Sequence, residues 1–273
     1  MKKEQEMHNA KMVDEQVVDT ILKQFGQSGK RCFLLDYDGT LAPFQKLPSL
    51  AIPDDETIQL LQDLSKDDRN EIVVISGRDN DILEKWMGHL PVTLVAEHGA
   101  FVRYKGEDWE HQVSQSNDWK DEIRPLLNLF VTRCAGSFIE EKKNTLVWHY
   151  RNTDTDLGFA RSRELRNSLL QLTTNTALQV LDGNRVIEIR LAGVDKGATA
   201  LKILQRFSPD FSICLGDDTT DEDMFRILRD KGVTIKIGQG STAAQYVLPA
   251  QTDVLPLLQK FLIPLGKAQV GVV

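Results

Sequence analysis

Three cysteines in 273 residues, Cys32, Cys134 and Cys214, are too few and too far apart for a disulfide framework, and their odd number fits a reduced compartment. Cys32 and Cys214 sit inside apolar runs, where a free cysteine behaves as a small buried hydrophobe. No stretch approaches the roughly 18 consecutive apolar residues of a membrane span, so no membrane partner is expected. The start, Met1 to Lys11, carries both signs of charge and lacks the apolar centre of a signal peptide. These absences lead to the expectation of a cytoplasmic protein. Positive charge is short as well: 33 Lys+Arg face 40 Asp+Glu, a net of -7. That balance provides no broad field for a phosphate backbone and speaks against nucleic-acid binding. An acidic chain that handles anions needs local cations or a metal instead. Repeats and low-complexity tracts are missing too, and the composition is that of an ordinary globular chain rather than a disordered one, a collagen or a coiled coil.

At roughly 150 residues per domain the length corresponds to about 1.8 domains. Val13, Val17, Ile21 and Phe25 recur every four residues and predict a first helix over 13–25. Cys32 to Leu35 and Ile72 to Ile75 are apolar runs without alternation, as expected of strands buried on both faces; Phe211 to Leu215 reads as another buried strand and Val233 to Ile237 as a further strand. Helices over 54–64, 79–87, 197–206 and 220–229 alternate with them, and Thr93 to Ala96 adds another strand, which implies a parallel sheet with crossover helices. The pattern changes after about residue 101. Segments 101–104, 137–142, 145–151, 178–181 and 185–191 alternate with period two, and helices over 119–132 and 157–172 lie among them. The fold class expected is therefore α/β: a Rossmann-like parallel-sheet core over 1–101 and 193–273, interrupted by an α+β module over 102–192.

Chemistry-bearing residues sit where strands end or helices start. Asp36 and Asp38 leave the first buried strand two residues apart, and ligands bind beyond the carboxyl ends of parallel strands. Two such carboxylates repel unless one is protonated or a cation binds between them. A second run, Asp217, Asp218, Asp221, Glu222 and Asp223, would be costly without a cation, and hard oxygen ligands meeting a phosphate suit Mg²⁺. The alternative, that Asp221 to Asp223 merely cap a helix, suits Glu222 and Asp223 but does not explain Asp217. Ser76, Gly77 and Arg78 follow the second core strand and favour an anion, although taken alone a serine cap with a turn glycine is the better reading. Lys196 opens another helix and supplies a point charge for phosphate.

The order Asp-x-Asp, Ser, Lys, Gly-Asp-Asp resembles the haloacid-dehalogenase-like phosphatases. That resemblance implies a nucleophile at Asp36, a general acid/base at Asp38 and phosphate binding by Ser76, Gly77, Arg78 and Lys196. It implies Mg²⁺ held by Asp36, Asp38 and Asp217, with Asp218 and Asp221 as further candidates. The longer motifs, Asp36 to Pro43, Glu97 to Ala100, Trp148-His149-Tyr150-Arg151 and Gly216 to Phe225, look like the trehalose-6-phosphate phosphatase family, nearest to the phosphatase half of fungal-type trehalose synthesis proteins. The likeness covers about residues 31–262. The 30 residues ahead of it are expected to be too few for a glycosyltransferase half, so pairing with a separate trehalose-6-phosphate synthase is implied.

Within the module, now expected to act as a cap, Glu140 and Lys142 are two apart on a strand and share a face, and Glu188 lies opposite the Ile187/Ile189 face. Charged residues on a sheet face are ordinarily solvated. The family resemblance makes these three, with Arg151, sugar-binding instead, while Glu141 and Lys143 are expected to point away. His98 follows a core strand and either orients substrate or satisfies a loop. The resulting expectation is a Mg²⁺-dependent phosphatase acting on trehalose 6-phosphate. Another sugar phosphate (sucrose or glucosylglycerol phosphate), a phosphomutase, or an idle sugar-phosphate sensor are the alternatives.

Overall fold

The computed structural model describes residues 10–45, 47–113 and 116–262. It divides the chain into two compact units, Met1–Glu110 with Asp195–Val273, and His111–Val194.

In the first unit the unalternating runs form strands covered on both sides. In chain order these are β1 (Lys11–Met12), α1 (Glu15–Gln27), β2 (Arg31–Asp36), α2 (Asp55–Leu64), β3 (Asn70–Ile75), α3 (Asn80–Met87), β4 (Thr93–Ala96), β5 (Phe101–Arg103) and β6 (Glu110–His111). The second unit holds α4 (Trp119–Arg133), β7 (Phe138–Glu141), β8 (Thr145–His149), α5 (Thr155–Leu172), β9 (Leu178–Gly183) and β10 (Val186–Leu191). The chain then returns with α6 (Lys196–Phe207), β11 (Phe211–Gly216), α7 (Glu222–Leu228), β12 (Val233–Ile237), β13 (Tyr246–Leu248) and α8 (Val254–Gln259).

The large sheet has the order β1-β13-β12-β11-β2-β3-β4-β5-β6. Every pair from β1 to β4 is parallel and β4–β5 is antiparallel. Alternate residues of β2 show why its sequence has no polar face. Phe33 and Leu35 enter a core with α1, α2, α3 and α8, whereas Cys32 and Leu34 enter another with α6 and α7. All three cysteines are free and buried. Helix starts are set by aspartates: Asp14, Asp54, Asp79 and Asp195 each accept a backbone N–H from the first turn. Capping by Asp14 moves the first helix to Glu15, past Val13, and α1 buries Val18, Ile21 and Phe25 against the core.

The smaller sheet has the order β7-β8-β10-β9, antiparallel throughout. Leu146, Trp148, Ile187 and Ile189 on one face pack against Ile123, Leu127 and Phe130 of α4 and Leu165 and Leu169 of α5.

Segment 101–104, expected to begin the inserted module, pairs instead with the large sheet, Val102 opposite Val95. Period-two alternation marks any half-covered antiparallel strand and does not say which sheet receives it. Strands β1, β6 and β13 and helix α8 were not expected; at two to six residues they are too short to show a period.

Candidate active site

Parallel pairing of β11, β2 and β3 brings three strand ends together, and the sequence-predicted residues of the first unit emerge there. Asp36 ends β2, the Ser76 loop follows β3, and Asp217 follows β11. Lys196, first residue of α6, is buried and donates to Asp36 Oδ1 at 2.5 Å and to Asp221 Oδ1 at 2.8 Å. Asp221 stands at the N-cap position of α7, but its side chain makes no capping hydrogen bond there. Its other oxygen accepts from the backbone N–H groups of Asp217 and Asp218, both at 3.0 Å, which folds the acidic loop back on itself. Two glycines permit this closeness. A Cβ on Gly216 would lie 2.3 Å from Asp221 Cγ, and one on Gly39 (φ +86°) 2.4 Å from Asp217 Oδ2.

Asp36, Asp217 and Asp221 each offer one carboxylate oxygen within 4.8 Å of the others. Asp36 Oδ2 and Asp217 Oδ1 are buried without a hydrogen-bond partner. Buried orphan carboxylate oxygens are expensive, and two beside one another are what a hard divalent cation would satisfy. The donor set therefore fits Mg²⁺, which Asp36 and Asp217 could hold, whereas Asp221 is already committed to Lys196 and two backbone amides. The carboxylates of Asp38 and Asp218, also named as metal candidates, lie outside this group. Asp218 Oδ1 accepts from the backbone N–H and hydroxyl of Thr219.

Burial, then the charges of Asp221 and Asp38, pushes the Asp36 carboxyl up to about 7 despite Lys196. Burial, then Asp36 and Asp221, pushes Asp217 up to about 9. Burial alone would lower Lys196, but Asp221 and Asp36 more than offset it and its ammonium is held protonated. These shifts have a stability consequence. An unfolded Asp titrates near 3.9, so between about pH 4 and 9 the metal-free folded state binds more protons than the unfolded chain. Stability is full below that window and falls as pH rises through it. In EDTA, the melting temperature is expected to fall between pH 6 and pH 8.5, and Asp217→Asn to flatten that fall. An unchanged slope in the variant would contradict the assignment.

Asp38 points to a different partner. Arg78 grips it with two nitrogens, Nε to Oδ2 at 2.8 Å and Nη2 to Oδ1 at 2.5 Å. Arg78, read as a phosphate binder, is thus engaged with Asp38, and its guanidinium lies 5.3 Å from the Trp86 ring centre. Ser76 is buried, and its Oγ accepts from the Arg78 N–H at 3.1 Å. It is not a helix cap; Asp79 caps α3. His98 sits in a left-handed turn (φ 58°), and a Cβ on Gly77 would lie 2.6 Å from its Nε2. The imidazole therefore packs directly on the Ser76-Gly77-Arg78 loop.

Sequence reasoning missed two side chains here. Lys236, buried at the end of β12, donates to the Asp217 carbonyl oxygen. The only signal was a lysine in an otherwise uncharged strand. Glu222, read as charging a helix start, does open α7, but it is also buried and accepts from the Ala243 N–H at 2.7 Å, tying the loop before β13 to the acidic run.

The other predicted residues belong to the second unit and gather on the sheet face opposite its core. Glu140 and Glu188 share one register row, both opposite Val147. Lys142 follows β7, its Nζ 4.0 Å from Glu140 Oε2. Glu141 takes the other face, where Arg124 and Lys120 of α4 pair with it, and Lys143 is exposed. Arg151 donates to the Asn184 carbonyl at 2.9 Å, bracing the β9–β10 turn. Two residues of this face went unread: Arg190, 3.5 Å from Glu188, and His149, 2.7 Å from Glu140.

Among the described residues no helix is long and apolar enough to cross a membrane. Residues 34–251 match the family model described as Trehalose-phosphatase. A Saccharomyces cerevisiae protein named Trehalose-phosphatase is 41% identical over 231 residues, 76% of this chain and 26% of its own length. A Dictyostelium discoideum protein named Alpha,alpha-trehalose-phosphate synthase (UDP-forming) B is 42% identical over 84% of this chain and 30% of its own length. The chain thus spans less than a third of these curated relatives. The solved C-terminal domain of trehalose-6-phosphate phosphatase from C. albicans superposes with a TM-score of 0.87 at 33% identity, covering 93% of this chain and 99% of that one. A match that runs from the strand delivering Asp36 to the segment beyond β13, on a HAD-like α/β fold shared with that solved domain, places this chain in the trehalose-phosphatase family.

Proposed function

We propose that this chain hydrolyses trehalose 6-phosphate to trehalose and phosphate, the last step of trehalose biosynthesis, through an aspartyl-phosphate on Asp36. The observation that carries the reading is the Asp36 carboxylate: one oxygen is fixed by Lys196 and the other is buried without a partner at the mouth of a strand end. An Asp36 oxygen attacks phosphorus and the bond to the sugar oxygen breaks. Asp38 takes a proton from solvent as its two-pronged contact with Arg78 opens, and passes that proton to the leaving oxygen. It then takes a proton from the water that attacks the phospho-aspartate and regenerates Asp36, work ordinarily worth ~10²–10⁴-fold. Lys196 and the Ser76 loop hold the phosphate oxygens. Mg²⁺, when bound at Asp36 and Asp217, neutralises charge between an anionic nucleophile and an anionic substrate.

The unit His111–Val194 serves as a cap that reads the sugar, with Glu140, Lys142 and Glu188 as its hydrogen-bonding groups and Arg151 beside them. His98 orients the substrate from the core. Three buried free thiols fit a cytoplasmic setting. A relative named as a trehalose-phosphate synthase, matched over only part of its length, supports functional pairing with a synthase.

Phosphate release from a panel of mono- and disaccharide phosphates, with and without Mg²⁺, tests the reaction. Preference for trehalose 6-phosphate is expected; equal rates on all sugars would remove the specificity claim, and binding without release would favour a sensor. Glu188→Ala is expected to raise KM for trehalose 6-phosphate roughly tenfold or more, as for a lost charge-assisted hydrogen bond. A small aryl phosphate should be nearly unaffected, and equal losses on both substrates would oppose sugar reading by Glu188.

A further inference from the structure

One contact on the polar face of the smaller sheet is explained neither by core packing nor by phosphate chemistry. His149 Nε2 lies 2.7 Å from Glu140 Oε2. The register makes this a diagonal contact from β8 to β7, since Glu140 is opposite Val147 and His149 is opposite Phe138. An ionised carboxylate only accepts, so Nε2–H is the donor. The imidazole lies flat on the Phe138 ring, with centroids 4.5 Å apart and planes 4° from parallel. His149 takes no part in the apolar core, which its neighbours Trp148 and Tyr150 enter instead.

The chain of contacts has a direction. Phe138 limits the imidazole, the imidazole limits the carboxylate, and Lys142 stands 4.0 Å from the same carboxylate oxygen. Glu188, two strands away in the same row, has its own cation in Arg190 at 3.5 Å. Two strand spacings put these carboxylates' backbones roughly 9.5 Å apart, a span that suits a ring with hydroxyls on opposite edges. A mobile glutamate loses rotamer freedom on binding such a ring; one held beforehand loses less.

We propose that His149 is a positioning residue that holds the Glu140 carboxylate in the orientation that accepts a hydroxyl of the sugar. The proposal rests on the reading of this sheet face as the sugar-recognising surface. His149 touches no reacting atom, so its effect falls on substrate affinity and leaves the phosphoryl-transfer step alone.

The test measures kcat and KM with Mg²⁺ for trehalose 6-phosphate and for p-nitrophenyl phosphate, in the wild type, His149→Leu, His149→Gln, Glu140→Gln and the double variant His149→Leu/Glu140→Gln. Leu removes the donor, and is expected to raise KM for the sugar phosphate roughly tenfold with kcat and the aryl phosphate within about twofold. Gln places an amide donor near the imidazole Nε2 and is expected to restore most of the affinity. If His149 acts through Glu140, the double variant has the KM of Glu140→Gln alone. Equal losses on both substrates, no loss on either, failure of Gln to restore, or additive effects in the double variant would each overturn the proposal. If Leu prevents folding, the Gln variant together with Glu140→Gln decides: normal KM in Glu140→Gln removes the carboxylate from recognition and the proposal with it. Wild-type preference for a different sugar phosphate would displace trehalose from the reading while the His149 comparison is made on that substrate. Turnover of no sugar phosphate at all would sink both.

Discussion

Asp36→Asn is expected to lower phosphate release by at least roughly 10⁴-fold, the scale seen when a covalent nucleophile is removed, while the protein stays folded. The asymmetry follows from the charges around the residue. Lys196 is the ammonium hydrogen-bonded to both Asp36 and Asp221, and Asp217 shares the cluster. Asparagine keeps the shape and an acceptor for the Lys196 ammonium, and removes one mutually repelling negative charge. The metal-free variant should therefore melt no lower than the wild type at pH 8, where the wild-type Asp36, pushed up to about 7, is mostly ionised. Stopped or single-turnover assays should also find no acid-stable phosphoprotein. Near-normal turnover would end the nucleophile assignment; lost activity with a collapsed melting transition would mean that Asp36 is needed for folding instead.

Lys196→Met is expected to have the largest effect on stability. It deletes the cation from among buried carboxylates, and breaking a buried pair from one side typically costs about 3–5 kcal/mol because the remaining charge is left uncompensated. In a protein of this size that corresponds to a fall of the melting temperature on the order of 10 °C. Activity should vanish as well, since the same ammonium is the proposed phosphate ligand. The two roles separate in a double variant. Lys196→Met/Asp221→Asn removes both a cation and the fully buried carboxylate it serves, and should recover more than half of the lost stability without recovering activity, a non-additivity expected of contacting groups. A single variant that melts like the wild type, or a double variant no better than the single, would refute this account of the cluster.

Both predictions use residues legible from the chain alone, and the reason is local. Asp36, Ser76, Lys196 and Asp217 each stand next to an unalternating apolar run or a helix start, and such signals come from neighbours a few residues away. The caps Asp14, Asp54, Asp79 and Asp195 went unread, although they are spaced from their helices as capping requires; they account for part of the acidic excess that composition alone left unplaced. What failed locally was anything that depended on a partner. The partner of the Arg78 guanidinium, Asp38, lies forty positions earlier and could not be read from its neighbours. Glu222 read only as a helix start, yet a loop near residue 243 reaches back to it as well. Segment 101–104 read as the start of the module, yet β4 offered the adjacent edge.

The scarcity of cations noted at the outset has a structural counterpart. Periodicity, turn chemistry and the types of side chain at strand ends were enough to expect an α/β core with an inserted α+β module and to pick the carboxylates and the lysine that the strand ends bring together, because these are properties of short segments. Which carboxylates share that lysine was settled only by tertiary structure. Lys196 and Asp36 are 160 positions apart, and strand order, not sequence spacing, brings them to 2.5 Å; burial then raises the protonation of Asp36 and Asp217 and leaves an oxygen of each without a partner. The pairings of His149 with Glu140 and Lys236 with Asp217 have the same origin: they exist because particular strands lie side by side, and no local pattern in the chain encodes that neighbour.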